Sequence, residues 1–173
     1  MNAQPIDLRQ QFLAGMSHAA CTVNVVTTDG PAGRHGLTVS AMSAVSADTA
    51  RPTLLVCIDH RSTAAAALLA NQVFCINLLR DDQAQVSDTF AGRLRHLHAD
   101  KFDCARWTRQ ATGAPRIVDP LVAFDCRVTT SERVGTHFVV FGTVEDVFIG
   151  ATGQALIYAN RSYATLRRLR DGG

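Results

Sequence analysis

Apolar positions along the chain begin at a helical period. Leu8, Phe12, Leu13 and Met16 recur at helical spacing and give an N-terminal helix one apolar face. From residue 21 the period shortens. Residues 21–28 are rich in β-branched side chains and read as a strand. Asp29-Gly30-Pro31-Ala32-Gly33 is turn chemistry, and residues 36–46 alternate small polar with apolar side chains, as a strand with one wet face does. Residues 47–52 read as a loop. Residues 53–58 are apolar throughout and are expected to be buried on both faces.

Asp59-His60-Arg61-Ser62 then breaks the pattern. Residues 63–70 are Ala- and Leu-rich, with Ser62 placed as the N-cap of a short helix. Residues 73–79 form a further strand and residues 83–91 a helix, with Val86 and Phe90 four apart. Residues 92–120, which include Gly113, Pro115 and Pro120, read as irregular. Two long strands follow, 121–128 and 137–149, joined through a hairpin-like connection over 129–136. Residues 158–169 predict a closing helix, with Leu166 and Leu169 three apart. Strand mostly follows strand with short connections. That order predicts a mainly β protein, an antiparallel barrel or sandwich with peripheral helices, and argues against alternating βαβ units.

Composition narrows this picture. With 173 residues, a single domain spanning 1–173 is expected, large enough to bury a core without staples. Hydrophobic residues make up 47% and charged residues 18%, which excludes disorder. The mean hydropathy of +0.06 is slightly apolar for a soluble protein and hints at an additional buried surface such as a subunit interface. A net charge of +2 offers no basic excess for nucleic acid. No signal peptide or membrane-spanning run is expected. Cys21, Cys57, Cys75, Cys104 and Cys126 are odd in number, far apart and never in C-x-x-C spacing, as expected of reduced thiols in a cytoplasmic protein.

Candidate chemistry is diffuse. The stretch Gly30-Pro-Ala-Gly-Arg-His-Gly36 is not G-x-G-x-x-G and joins two strands, so neither a Rossmann dinucleotide site nor a P-loop is expected. Thr38 and Ser40 share one strand face, where hydroxyls and backbone amides can meet the rim of a flat ring; on spacing alone the same pattern describes a solvated strand face. Arg61, Ser62 and Thr63, at a helix entry, could converge on a phosphate or form an ordinary capping turn. Arg93 beside Gly92 could reach a second phosphate or serve only as a cation at a helix C-terminus. His137 opens a long strand after Gly135-Thr136. His96 and His98 lack carboxylate or thiol partners, so no metal site is expected, and no G-x-S-x-G nucleophile occurs.

In order and spacing, several segments resemble one family. These are residues 25–41 with Gly36-Leu37-Thr38-Val39-Ser40-Ala41, then Val45-Ser46 and Pro52 to Ile58. Asn77-Leu78-Leu79, Phe90-Ala91-Gly92, Phe102, Trp107 and Thr112-Gly113-x-Pro115 follow. Phe124-Asp125-Cys126-Arg127, Gly135-Thr136-His137 and Tyr158-x-x-Arg161-x-Tyr163 complete the series. Over residues 8–169 the chain is similar to the short-chain flavin reductases, the reductase components of two-component flavin-dependent monooxygenases. The resemblance implies a split β-barrel homodimer. It implies reduction of FMN or FAD by NADH or NADPH and delivery of reduced flavin to an oxygenase. It places Thr38 near the flavin ring and the nicotinamide, with Val39, Ser40, Ala41 and Met42 along the ring. Cys57, Asp59, Ser62 and Thr63 hold the ribityl chain and phosphate, and Phe90, Ala91, Gly92 and Arg93 continue that surface. His137 orients the nicotinamide, and Arg161 and Tyr163 stand at the pocket edge. A split-barrel protein that keeps its flavin tightly bound, or a flavin-binding module without turnover, fits the same resemblance. The implied chemistry needs no acid, nucleophile or metal, because the cofactors carry it.

Overall fold

The structure, a computed structural model, describes residues 7–167. The first helix, α1 (Leu8–His18), forms as its periodicity predicts, but its apolar face turns to solvent: no residue of the helix is buried, and Phe12 is 63% exposed. The expected first strand divides at Val23 into β1 (Cys21–Thr22) and β2 (Asn24–Thr28), which enter different sheets. In the turn after β2 the N–H of Gly33 (φ +86°) donates to the Gly30 carbonyl. The Asn71 side chain clamps that turn, accepting from the Ala32 N–H and donating to the Thr28 hydroxyl and the Gly33 carbonyl.

Residues 36–46, one strand by pattern, are two: β3 (His35–Val39) and β4 (Met42–Ser46), separated by a bend at Ser40-Ala41. Alternation continues through the bend, so the pattern cannot reveal that the chain leaves one edge of a sheet and enters the other. β5 (Thr53–Asp59) buries Leu54, Val56 and Ile58 while Leu55 and Cys57 stay half-buried; the expected burial on both faces is corrected to one. α2 (Thr63–Asn71) begins where the Ser62 hydroxyl accepts from the Ala64 N–H, as its sequence predicts. β6 (Val73–Leu78) follows. A 3₁₀ turn at Asp81–Gln83 leads into α3 (Ala84–Phe90), which buries Val86 and Phe90.

The stretch expected to be irregular contains a 3₁₀ turn at Lys101–Cys104 and a small hairpin, β7 (Trp107–Arg109) and β8 (Pro115–Ile117). β9 (Val122–Val134) runs six residues past its expected end, and β10 (His137–Ile149) has its expected bounds. Residues 130–134 remain paired, with Thr129 at a bulge, and only Gly135 (φ +58°) and Thr136 form the connection. The closing helix expected over 158–169 is instead a hairpin, β11 (Ile157–Ala159) and β12 (Ser162–Ala164). Asn160 and Arg161 both take positive φ, the signature of a tight hairpin turn, and Tyr158 packs across from Tyr163 with ring centroids 5.6 Å apart. Leu169 lies outside the described residues.

Seven strands make one antiparallel sheet in the order β3-β2-β6-β9-β10-β5-β4. Its two edge strands are consecutive in sequence. Three Cα–Cα steps separate Val39 from Met42, which holds the edges within about 11 Å there. The sheet must therefore curl until β3 approaches β5, and the β4–β5 ladder runs on past Met42 into the bend, where the Cys57 N–H donates to the Ala41 carbonyl at 3.1 Å. The result is the split barrel expected from the resemblance.

Its interior is filled by Val26, Val56, Ile58, Phe74, Ile76 and Val140 and plugged by Leu68 of α2. Gly142 is required there, because a Cβ would collide with the buried Phe74 ring. A second core covers the other face of β2, where Val25, Val86, Leu79 and Leu156 meet the aromatic trio Phe90, Phe102 and Trp107, with centroids 4.9–5.5 Å apart. β2 is thus buried on both faces, and α3 is fixed against the edge strand β3. Gly36 permits this approach: a Cβ would stand 2.8 Å from the Phe90 ring.

Candidate active site

The junction where the barrel opens forms the walls of two cavities. The smaller, about 220 Å³, is lined by Leu37, Thr38, Val39, Ser40, Ala41, Cys57, Asp59 and His137. The larger, about 1050 Å³, lies between β3, the first turn of α2, the end of α3 and residues 92–101. The two share Leu37, Thr38 and Asp59. Strand pairing sets Asp59 directly opposite His137, bringing the end of β5 and the start of β10 to the same mouth.

The hydroxyl of Thr38 donates to the Ser87 carbonyl at 2.7 Å, so toward the cavities its oxygen retains acceptor capacity only. Asp59 accepts two bonds from the Arg61 guanidinium, at 2.8 and 3.2 Å, and one from the Arg61 N–H at 3.0 Å. The Arg61 side chain above all, then its N–H, holds the Asp59 carboxyl well below the usual carboxylate range. Arg61 and Asp59 are therefore a charge-compensated pair at the α2 entry.

Most residues singled out in the sequence meet here. Thr38, Val39, Ser40, Ala41, Cys57, Asp59 and His137 line the smaller cavity; Ser62, Thr63, Phe90, Ala91 and Gly92 line the larger. Val39 reaches it through its backbone, since its side chain is buried in the barrel core. Four residues do not line either cavity. Met42 packs against the barrel core. Arg93 turns to Asp88 at 2.7 Å and to the Tyr163 hydroxyl at 3.2 Å. Tyr163 also reaches Asp88 at 2.7 Å and Ser87 at 2.9 Å, so it braces α3 from behind, and burial raises its phenol. Arg161 occupies the exposed β11–β12 turn.

Sequence reasoning missed the far wall of the larger cavity. Arg34, Arg95, His98 and Lys101 stand there. Arg34 pairs with Asp100 at 2.6 Å and lies over the Phe102 ring; Lys101 donates to the Gly36 carbonyl and lies 5.4 Å from the Phe90 ring centre. Burial lowers the Lys101 ammonium. The Nε2 atom of His98 is buried with no hydrogen-bond partner. The available signal was the run of basic residues Arg93, Arg95, His96 and His98 next to the chain's only lysine.

Comparison with known proteins fits this geometry. Residues 16–167 match the flavin reductase like domain, and the chain belongs to that family. It is 42% identical over 171 residues to an FMN reductase (NADH) RutF of Methylorubrum extorquens, covering 99% of this chain and 83% of that one. It is 40% identical over 160 residues to the FMN reductase (NADH) RutF of Escherichia coli, covering 92% and 95%. Among solved structures it is similar to BorF, the flavin reductase component of a bacterial two-component tryptophan halogenase. That match has a TM-score of 0.82 and 28% identity and covers 93% of this chain and 99% of that one.

Proposed function

We propose that the protein transfers a hydride from NADH, or NADPH, to FMN or FAD taken up as a diffusible substrate, and releases reduced flavin to a partner oxygenase. The observation that carries this reading is the meeting, at Leu37, Thr38 and Asp59, of a narrow cavity against a strand bend with a wide, cation-walled cleft. A flat ring with a phosphorylated tail needs those two environments side by side.

The residues present fit such a ligand. The larger cavity is at the upper end of the ~300–1,000 Å³ typical of cofactor sites. Ser62, Thr63 and the first turn of α2 offer hydroxyls and amides for a phosphate, with Arg95 and Lys101 across the cleft. Val39, Ser40 and Ala41 offer backbone to the ring. When bound, the flavin and nicotinamide rings supply the hydride chemistry themselves. The protein's part is to stack and orient: Thr38 presents a fixed acceptor oxygen, and His137 at the cavity mouth holds the nicotinamide carboxamide.

Relatives described as NADH-dependent FMN reductases support NADH as the donor and FMN as the acceptor, and the halogenase reductase supports an oxygenase-type consumer. A homodimer is supported by the exposed apolar residues of α1 together with Val147 and Ile149 of β10. Five unpaired cysteines, among them the fully buried Cys75 and Cys126, support a cytoplasmic setting. Among the described residues no helix is long and apolar enough to cross a membrane.

A steady-state assay tests the reading. NADH oxidation is expected to rise with added FMN or FAD and to saturate. Oxidation indifferent to added flavin, by a yellow purified protein, would favour a resident flavin, and no oxidation with either nicotinamide would leave a binding module. His137→Ala is expected to raise the NADH KM more than the flavin KM.

A further inference from the structure

The β9–β10 tip carries a chain of contacts that ends on His137. The Thr136 carbonyl belongs to the peptide that leads into His137. It accepts two bonds from His60, one from the backbone N–H at 3.1 Å and one from Nδ1 at 2.9 Å. A carbonyl only accepts, so Nδ1 of His60 must carry the proton. The other ring nitrogen, Nε2, faces the Arg133 guanidinium at 3.3 Å, and a guanidinium only donates. His60 is therefore fixed as the Nδ1–H tautomer, with Nε2 accepting. Arg133 also donates from Nε to the Gly135 carbonyl at 3.3 Å, which closes the tip on itself. On the far side of the same peptide the Thr136 hydroxyl lies 3.0 Å from Nδ1 of His137. With Nδ1 occupied, Nε2 is the ring nitrogen left for the cavity that His137 lines.

We infer that Thr136 and His60 are positioning residues for His137: His60, braced by Arg133, locks the Thr136 peptide, and the Thr136 hydroxyl donates to Nδ1 of His137 so that its Nε2–H points to the cavity as a donor. This rests on the reading of His137 as the contact to the nicotinamide carboxamide, whose oxygen calls for a donor. The two histidines, far apart in sequence, are thereby held in opposite tautomers by one turn of chain.

Thr136→Val removes the hydroxyl at an exposed tip with little change of shape, and Thr136→Ser restores it. Thr136→Val is expected to raise the NADH KM about three- to ten-fold with the flavin KM unchanged, and Thr136→Ser to recover the parent value. Long-range ¹⁵N–¹H spectra of the whole protein at alkaline pH, assigned with His60→Gln and His137→Gln, are expected to show His60 as Nδ1–H and His137 as Nε2–H. In Thr136→Val the His137 pattern is expected to become a mixture. If Thr136→Val leaves both the His137 spectrum and the NADH KM unchanged while His137→Ala still raises that KM, the positioning role is overturned and the reading of His137 stands. If His137→Ala itself leaves the NADH KM unchanged, the reading of His137 fails and the positioning role falls with it.

Discussion

Lys101 shows how one residue can serve core and site together. It is the chain's only lysine, half-buried, with its ammonium on the Gly36 carbonyl and over the Phe90 ring. It stitches residues 92–101 to the edge strand β3 and places a positive charge in the wall of the larger cavity. Burial lowers its pKa below the ordinary lysine value of about 10.4. As pH rises through that lowered value the cleft loses a cation, so the KM for a phosphorylated flavin is expected to climb in alkaline solution earlier than an ordinary lysine would allow. In Lys101→Met that climb is expected to disappear and the KM to be higher already at neutral pH; flavin titrations across the pH range check both. Folding follows the opposite sign. Between the lowered folded value and the unfolded one the unfolded chain binds more protons, so the cost of burying Lys101 is relieved as pH rises across that window.

At the scale of elements, the pattern succeeded where local chemistry decides and failed where pairing decides. α2 was legible because Ser62 caps it and small apolar residues fill it, and α3 because Val86 and Phe90 share a face. The β11–β12 hairpin was not, because Leu166 and Leu169, three apart, satisfy a helical spacing. What selects the hairpin is the pairing of Ile157 with Ala164 and of β1 with β11, the second a contact distant in sequence. That choice forces Arg161 to φ +61°, where a side chain is strained. Arg161→Gly is expected to raise stability by about 0.5–1 kcal/mol, the left-handed penalty less the entropy cost of glycine, measurable as a higher urea midpoint. The same logic explains β9 and β10. The mostly polar stretch 129–134 looks like a loop, yet residues 130–134 stay in the ladder because β10 is long enough to pair with them.

At the scale of the molecule, α1 leaves an apolar face without a cover. Leu8, Phe12, Leu13 and Met16 form the face expected from the sequence, and in one chain all four are exposed. Faces of this kind are covered in assemblies. Phe12→Arg is expected to convert a two-chain species to a one-chain species in light scattering at micromolar concentration, and a wild-type chain already monomeric there would remove the dimer.

The sequence by itself determined the strand-rich class, the two central helices, and the residue types that a ring and a phosphate require, because these follow from periodicity, capping and side-chain chemistry within a few positions of each other. The tertiary structure alone decided three things. The Ser40-Ala41 bend carries the chain between opposite sheet edges, so a curled sheet opens a cavity there. Arg95 and Lys101 reach that cavity because Phe102 and Trp107 pack their segment against Phe90, and Arg34, from the turn before β3, is held at the same wall by Asp100. Met42, Arg93 and Tyr163 face elsewhere for the same kind of reason, since which way a side chain points is set by partners that lie far away along the chain.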